Sequence, residues 1–147
     1  DGVIRPVSFL KQNVPASGVR AMQVETARAV RKMMRRVVSD EGTGKLAGIA
    51  NYTVAGKTGT VHKFVAGGYA EDRYLSVFAG MVPAQQPELV MVVMIDEPSK
   101  GQHFGGEVAA PVFSSVMAGA MRLFDIPPDA VQRQRLVQGH DRGAGRA

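Results

Sequence analysis

From about Val24 to Ser39 the apolar positions recur at helical steps. Ala27, Val30, Met34 and Val37 fall three or four residues apart, with Met33 and Val38 alongside, which predicts one apolar helix face. Arg28, Arg31, Lys32, Arg35 and Arg36 take mostly the opposite face, and Glu25 near the start with basic residues late in the run suits the helix dipole. A second helical pattern covers about Glu107 to Phe124. Val108, Val112, Val116, Ala120 and Leu123 share a face, with Phe113 and Met117 beside it. Gly105-Gly106 opens this helix and Pro127-Pro128 ends it.

Between the helices lie three runs with strand character. The first is Thr53 to about His62, and the second is Arg73 to Val82, rich in aromatic and β-branched residues. The third is Glu88 to Asp96. Its core, Leu89-Val90-Met91-Val92-Val93-Met94-Ile95, is apolar without alternation, which predicts a central strand covered on both faces. Pro83–Pro87 is short enough to make the second and third strands antiparallel neighbours. Lys63–Asp72, with Gly67-Gly68, reads as a mobile link, and Gly42, Gly44 and Gly48 mark a loop after the first helix. Residues 1–22 read as extended chain and turns, with a short strand near Val7–Leu10. The order of helix, three strands, helix predicts an α+β fold: an antiparallel sheet flanked by helices.

Composition narrows the function classes. Apolar residues make up 45% of 147, which supports one real core and excludes disorder throughout. The formal charge of +5 invites a nucleic-acid reading. Most of the excess sits in Arg133, Arg135, Arg142 and Arg146 of a Gly-rich tail, so residues 130–147 are expected to be a disordered basic tail and residues 1–129 the domain. The five basic residues of the first helix read as a solvated face. The absence of cysteine excludes disulfides, thiol catalysis and Cys-based metal sites. His62, His103 and His140 lack metal-ligand spacing, so no metal and no cofactor are expected. The methionines at 81, 91, 94, 117 and 121 are expected in the core.

The chemically loaded segment is Gly56-Lys57-Thr58-Gly59-Thr60. A phosphate-binding P-loop would share Gly-Lys-Thr, but it needs glycine where Asn51 stands, and it opens a helix. Here Thr60-Val61-His62-Lys63-Phe64 continues as strand. The other reading is the Lys-Thr-Gly element of serine acyl-transfer enzymes that react with β-lactams.

The flanks strengthen that reading. Tyr52 to Thr60 resembles the corresponding strand of class B penicillin-binding proteins, the peptidoglycan transpeptidases, and within them the division-specific enzyme of Gram-negative bacteria. The likeness continues through Phe78-Ala79-Gly80, Pro83, Asp96-Glu97-Pro98, Phe104-Gly105-Gly106 and Ala109-Ala110-Pro111-Val112-Phe113. Upstream it takes in Arg5-Pro6-Val7-Ser8-Phe9-Leu10-Lys11 and Glu25-Thr26-Ala27-Arg28-Ala29-Val30. The resemblance implies a penicillin-binding/β-lactamase-like fold and a D,D-transpeptidase acting on the D-Ala-D-Ala end of a peptidoglycan stem peptide, with β-lactams as acylating mimics. It gives Lys57 an electrostatic role beside the catalytic hydroxyls and Thr58 and Thr60 the substrate carboxylate. The Thr60 backbone N–H becomes an oxyanion donor, and Gly59 the point where a ligand backbone approaches. Tyr74, His103 and Phe104 fall where the family lines its cleft, His103 where tyrosine is the common residue, and His62 near the cleft mouth.

The family also needs a helical Ser-x-x-Lys and a Ser-x-Asn. Ser8-Phe9-Leu10-Lys11 matches the first in letters only, because Pro6 and Pro15 flank it and a catalytic pair needs one helical turn. Ser39-Asp40-Glu41 misses the second at its third position. The chain, which begins Asp1-Gly2-Val3 without methionine, is therefore expected to be a C-terminal fragment, inactive alone. The resemblance further implies division-machinery partners, the periplasmic face of the inner membrane, and a membrane anchor only outside this chain. No nucleic acid is expected. Two alternatives stay open: a β-lactamase or D,D-carboxypeptidase fragment, and a basic anion-binding module.

Overall fold

The computed structural model describes residues 2–99 and 101–130. The tail expected to be disordered lies almost wholly outside them. The chain divides into two units, Asp1–Met33 and Met34–Ala147.

In the first unit, β1 (Val3–Ile4) pairs antiparallel with β2 (Val19–Arg20), Val3 opposite Arg20. The strand expected near Val7–Leu10 does not form. The Ser8 hydroxyl donates to the Leu10 carbonyl at 2.9 Å and accepts the Leu10 N–H at 3.1 Å, closing a local bend. Short polar side chains compete with strand pairing in this way. Ser8 and Lys11 are therefore not on a helix. Helix α1 (Val24–Val37) begins in this unit, carries Glu25 in its first turn and Arg35 and Arg36 in its last, and buries no residue.

The second unit holds the end of α1, a 3₁₀ turn at Lys45–Ala47, strands β3 (Ala55–Val65), β4 (Gly68–Val82) and β5 (Leu89–Asp96), and helix α2 (Gly105–Leu123). The sheet order is β3-β4-β5, all antiparallel. The register stacks Lys57, Ala79 and Val92 in one row and Thr58, Phe78 and Val93 in the next. Two expectations change. The central strand is β4, and β5 is an edge strand among the described residues. Its burial alternates, with Val90, Val92 and Met94 at 72%, 63% and 62% exposure. An unbroken apolar run reports what can be covered, and here α2 covers only one face. The link at Lys63–Asp72 is mostly strand: β3 and β4 extend to a tight hairpin closed by Gly67 and Gly68, both at positive φ.

The core lies between the sheet and α2. Phe78 of β4 meets Phe113 of α2 edge-on at 4.9 Å, and both are fully buried with Val82 and Met121. The buried stripe of α2 is Gly106, Ala109, Ala110, Phe113, Met117 and Met121. The stripe read from sequence is a neighbouring one, and Val112, Val116 and Leu123 of it are 40%, 51% and 80% exposed. A helix apolar on most sides has no unique inner face in its pattern, and small residues facing the sheet let the backbone come close. Of the methionines, Met117 and Met121 are core, Met81 and Met91 half-buried, and Met94 exposed.

The chain beyond α2 folds back onto the start of β3. The Asp129 carboxylate accepts the Thr53 N–H at 2.6 Å and the Thr53 hydroxyl, and the Tyr52 hydroxyl donates to the Ile126 carbonyl at 2.6 Å. Asn51, whose carbonyl accepts the Ala130 N–H at 3.1 Å, sits at φ 67, a conformation asparagine tolerates.

Candidate functional site

Lys57, Thr58, Gly59 and Thr60 lie consecutively on β3. Among the described residues, β3 has a strand on one side only. The other side presents backbone N–H and C=O groups to any extended chain laid along it. Lys57 is exposed and in no ion pair among the described residues, and its ammonium donates to the Thr58 carbonyl at 2.6 Å.

The two threonine hydroxyls are held from different elements. Thr58 Oγ1 lies 3.0 Å from Thr43 Oγ1 in the loop after α1. Thr60 Oγ1 accepts the backbone N–H of Gly105, the first residue of α2, at 3.1 Å. Close approach makes the second contact possible. A Cβ on Gly105 would overlap the carbonyl oxygens of Val77 and Gly59, and one on Gly106 the carbonyl of Thr43. Gly59 differs. A Cβ there would meet only the Val77 Cβ at 3.6 Å, an ordinary contact. The fold therefore does not require glycine at 59.

Tyr74, His103 and Phe104 come together beside this strand. Tyr74 stacks on His103 at 4.1 Å with 13° between the planes, His103 meets Phe104 at 4.5 Å, and His62 covers Tyr74 at 4.6 Å. His62 Nδ1 lies 2.8 Å from the Ala70 carbonyl, which only accepts, so Nδ1 carries the proton. Ser76, fully buried, donates its hydroxyl to the His103 carbonyl and ties the loop to β4. Lys57 does not reach this aromatic group through any described contact.

Four residues that sequence reasoning left unassigned brace the site. Glu97 sits at φ 51, its N–H donates to the Tyr74 carbonyl at 2.9 Å, and its carboxylate binds Arg73 and Lys63. The Arg73 hydrogen bond, then that of Lys63, pulls the Glu97 carboxyl down from 4.5 to about 2. Lys63 also bridges Asp96 at 2.9 Å, and its ammonium is raised, first by Glu97 and then by Asp96. The sequence shows Asp96-Glu97 beside a proline but not its distant cations. Among the described residues no three His, Asp or Glu side chains gather as a metal site, and no helix is long and apolar enough to cross a membrane.

An α+β unit with a Lys-Thr-Gly-Thr edge strand backed by a glycine-opened helix defines a class, and the sequence comparison agrees. The profile of the penicillin binding protein transpeptidase domain matches residues 1–118. The chain belongs to that family. It is 47% identical over 133 residues to the probable peptidoglycan D,D-transpeptidase PbpC of Pseudomonas aeruginosa, covering 90% of this chain and 23% of that protein. It is 39% identical over 130 residues to the peptidoglycan D,D-transpeptidase FtsI of Escherichia coli, covering 88% of this chain and 22% of that protein. Among solved structures, the apo TP domain of penicillin-binding protein 3 from Burkholderia pseudomallei superposes with a TM-score of 0.79 at 42% identity, over 87% of this chain and 39% of that one. The chain thus spans less than a quarter of the length of these two curated relatives.

Proposed function

We propose that this chain forms the substrate-binding wall of a peptidoglycan D,D-transpeptidase that works in septal cell-wall synthesis at the periplasmic face of the inner membrane. The observation that carries the reading is Lys57-Thr58-Gly59-Thr60 on a strand whose outer edge is unpaired among the described residues. A stem peptide ending in D-Ala-D-Ala lies along that edge. Its carboxylate takes the Thr58 and Thr60 hydroxyls and the field of Lys57, and the backbone at Gly59 lets it close in. A serine nucleophile from outside these residues attacks the penultimate D-Ala carbonyl, and the Thr60 N–H stabilises the oxyanion. Terminal D-Ala leaves with the proton, and the amine of a neighbouring stem resolves the ester into a cross-link. Penicillins acylate the same serine. Tyr74, His103 and Phe104 form the side of the cleft. Division-machinery proteins are the expected partners.

Intact-mass measurement after incubation with a fluorescent penicillin tests this division of labour. The 147-residue chain should keep its unmodified mass. An adduct on Ser8 or any other residue would place the nucleophile inside it and contradict the proposal.

A further inference from the structure

The hairpin that extends β3 and β4 past the site ends in two aromatic residues that the core does not use. Phe64 and Tyr69 face each other across the strands, their rings edge-to-face at 5.4 Å and 77°. They are 72% and 71% exposed. Their mutual contact leaves most of both rings in water. Their support is cross-linked by polar contacts. Gly67 and Gly68 close the turn, the His62 imidazole holds the Ala70 carbonyl, and Lys63 is clamped by Asp96 and Glu97. Two open rings on a braced hairpin make a platform for a flat apolar ligand face.

The direction of the strand says what reaches it. This step rests on the function proposed above. The carboxylate shared by the Thr58 and Thr60 hydroxyls is centred on position 59, and the carbonyl under attack, one residue toward the peptide's N-terminus, meets the Thr60 N–H. The stem therefore runs antiparallel to β3, and its N-terminal residues follow Val61 toward Val65. The four residues from the penultimate D-Ala to the N-terminus of the stem span ~13 Å when extended, and so does the strand from Thr60 to Phe64 at the same ~3.3 Å per residue. The N-terminal end of a stem peptide is where it joins the sugar chain. We infer that Phe64 and Tyr69 are a glycan-binding subsite, on which a pyranose ring of the peptidoglycan strand packs its C–H face.

Two probes test this on the isotope-labelled 147-residue chain: a free stem pentapeptide, and the same peptide bearing its muramyl disaccharide. The disaccharide probe should shift the ring resonances of Phe64 and Tyr69 and bind about fivefold tighter or more than the free peptide. The Phe64→Ala/Tyr69→Ala variant should lose that gain and keep its affinity for the free peptide. Phe64→Leu/Tyr69→Leu, which keeps the hairpin apolar, should behave the same way, with the amide resonances of β3–β5 as the control for folding. Equal affinity for the two probes, or a sugar gain retained in both variants, overturns the inference and leaves the proposed function standing. Sedimentation with phosphatidylglycerol vesicles that depends on the pair also overturns it and assigns the rings to a lipid surface. Failure of the free peptide to perturb Thr58–Thr60 is a different result. It removes the proposed function and this inference with it.

Discussion

The backbone N–H of Gly105 donates to the Thr60 hydroxyl at 3.1 Å, so the first residue of α2 holds the last residue of the Lys-Thr-Gly-Thr strand. Gly105 is buried against Val77 and Gly59. Thr60→Val removes the acceptor and leaves a buried N–H unsatisfied, which costs ~1–3 kcal/mol. Thr60→Ser keeps it and should stay close to the parent. Gly105→Ala forces its Cβ into two carbonyl oxygens and should cost ~1–3 kcal/mol through overpacking. Urea denaturation of the three variants checks the order.

Gly59 separates fold from function. Its added Cβ finds an ordinary contact with Val77 at 3.6 Å. Gly59→Ala should therefore leave stability within about 1 kcal/mol of the parent. Binding of a D-Ala-D-Ala peptide should fall sharply, because the methyl stands where the ligand backbone closes on β3. Calorimetric titration beside a melting curve makes the comparison.

The Glu97 cluster predicts a pH dependence. Its carboxyl is held at about 2 against an ordinary 4.5. Between these values the unfolded chain takes up a proton that the folded chain refuses, so stability falls as pH drops through the window. The contribution is fully present above pH 4.5 and gone below about 2. Glu97→Gln should flatten this part of the curve. High salt should weaken the effect, because the partners are exposed. Urea midpoints from pH 6 down to about 2 supply the measurement, and an unchanged slope in Glu97→Gln would contradict the assignment.

The inner face of α2 gives a sharp contrast. Phe113→Ala should cost ~3–5 kcal/mol and Val116→Ala no more than ~0.5 kcal/mol, because Phe113 is fully buried against Phe78 and Val116 is 51% exposed. The sequence pattern alone would rank Val116 with the core.

Much of this fold was legible because its punctuation is local. Gly105-Gly106 and Pro127-Pro128 bracket α2, and the short turn Pro83–Pro87 makes β4 and β5 neighbours. Lys57 to Thr60 stood out because Asn51 in place of a glycine, and a strand rather than a helix after the motif, excluded a P-loop. What stayed hidden depends on distant partners. Nothing near Val90, Val92 or Met94 shows that one sheet face goes uncovered among the described residues, so β5 read as central. Gly67-Gly68 read as slack, although the cross-strand pairs Phe64–Tyr69 and His62–Tyr74 continue the ladder to the turn. The braces Glu97–Arg73 and Asp129–Thr53 join residues 24 and 76 positions apart, and only the folded chain shows them.

Amide resonances of the labelled chain, titrated with diacetyl-L-Lys-D-Ala-D-Ala, report whether the Lys57–Thr60 strand binds the end of a stem peptide. Saturable shifts should centre on Thr58, Gly59, Thr60 and Val61, vanish when the peptide's terminal carboxylate is amidated and weaken in Lys57→Ala. Saturable shifts centred away from β3, or no shifts in a folded chain, would contradict that binding.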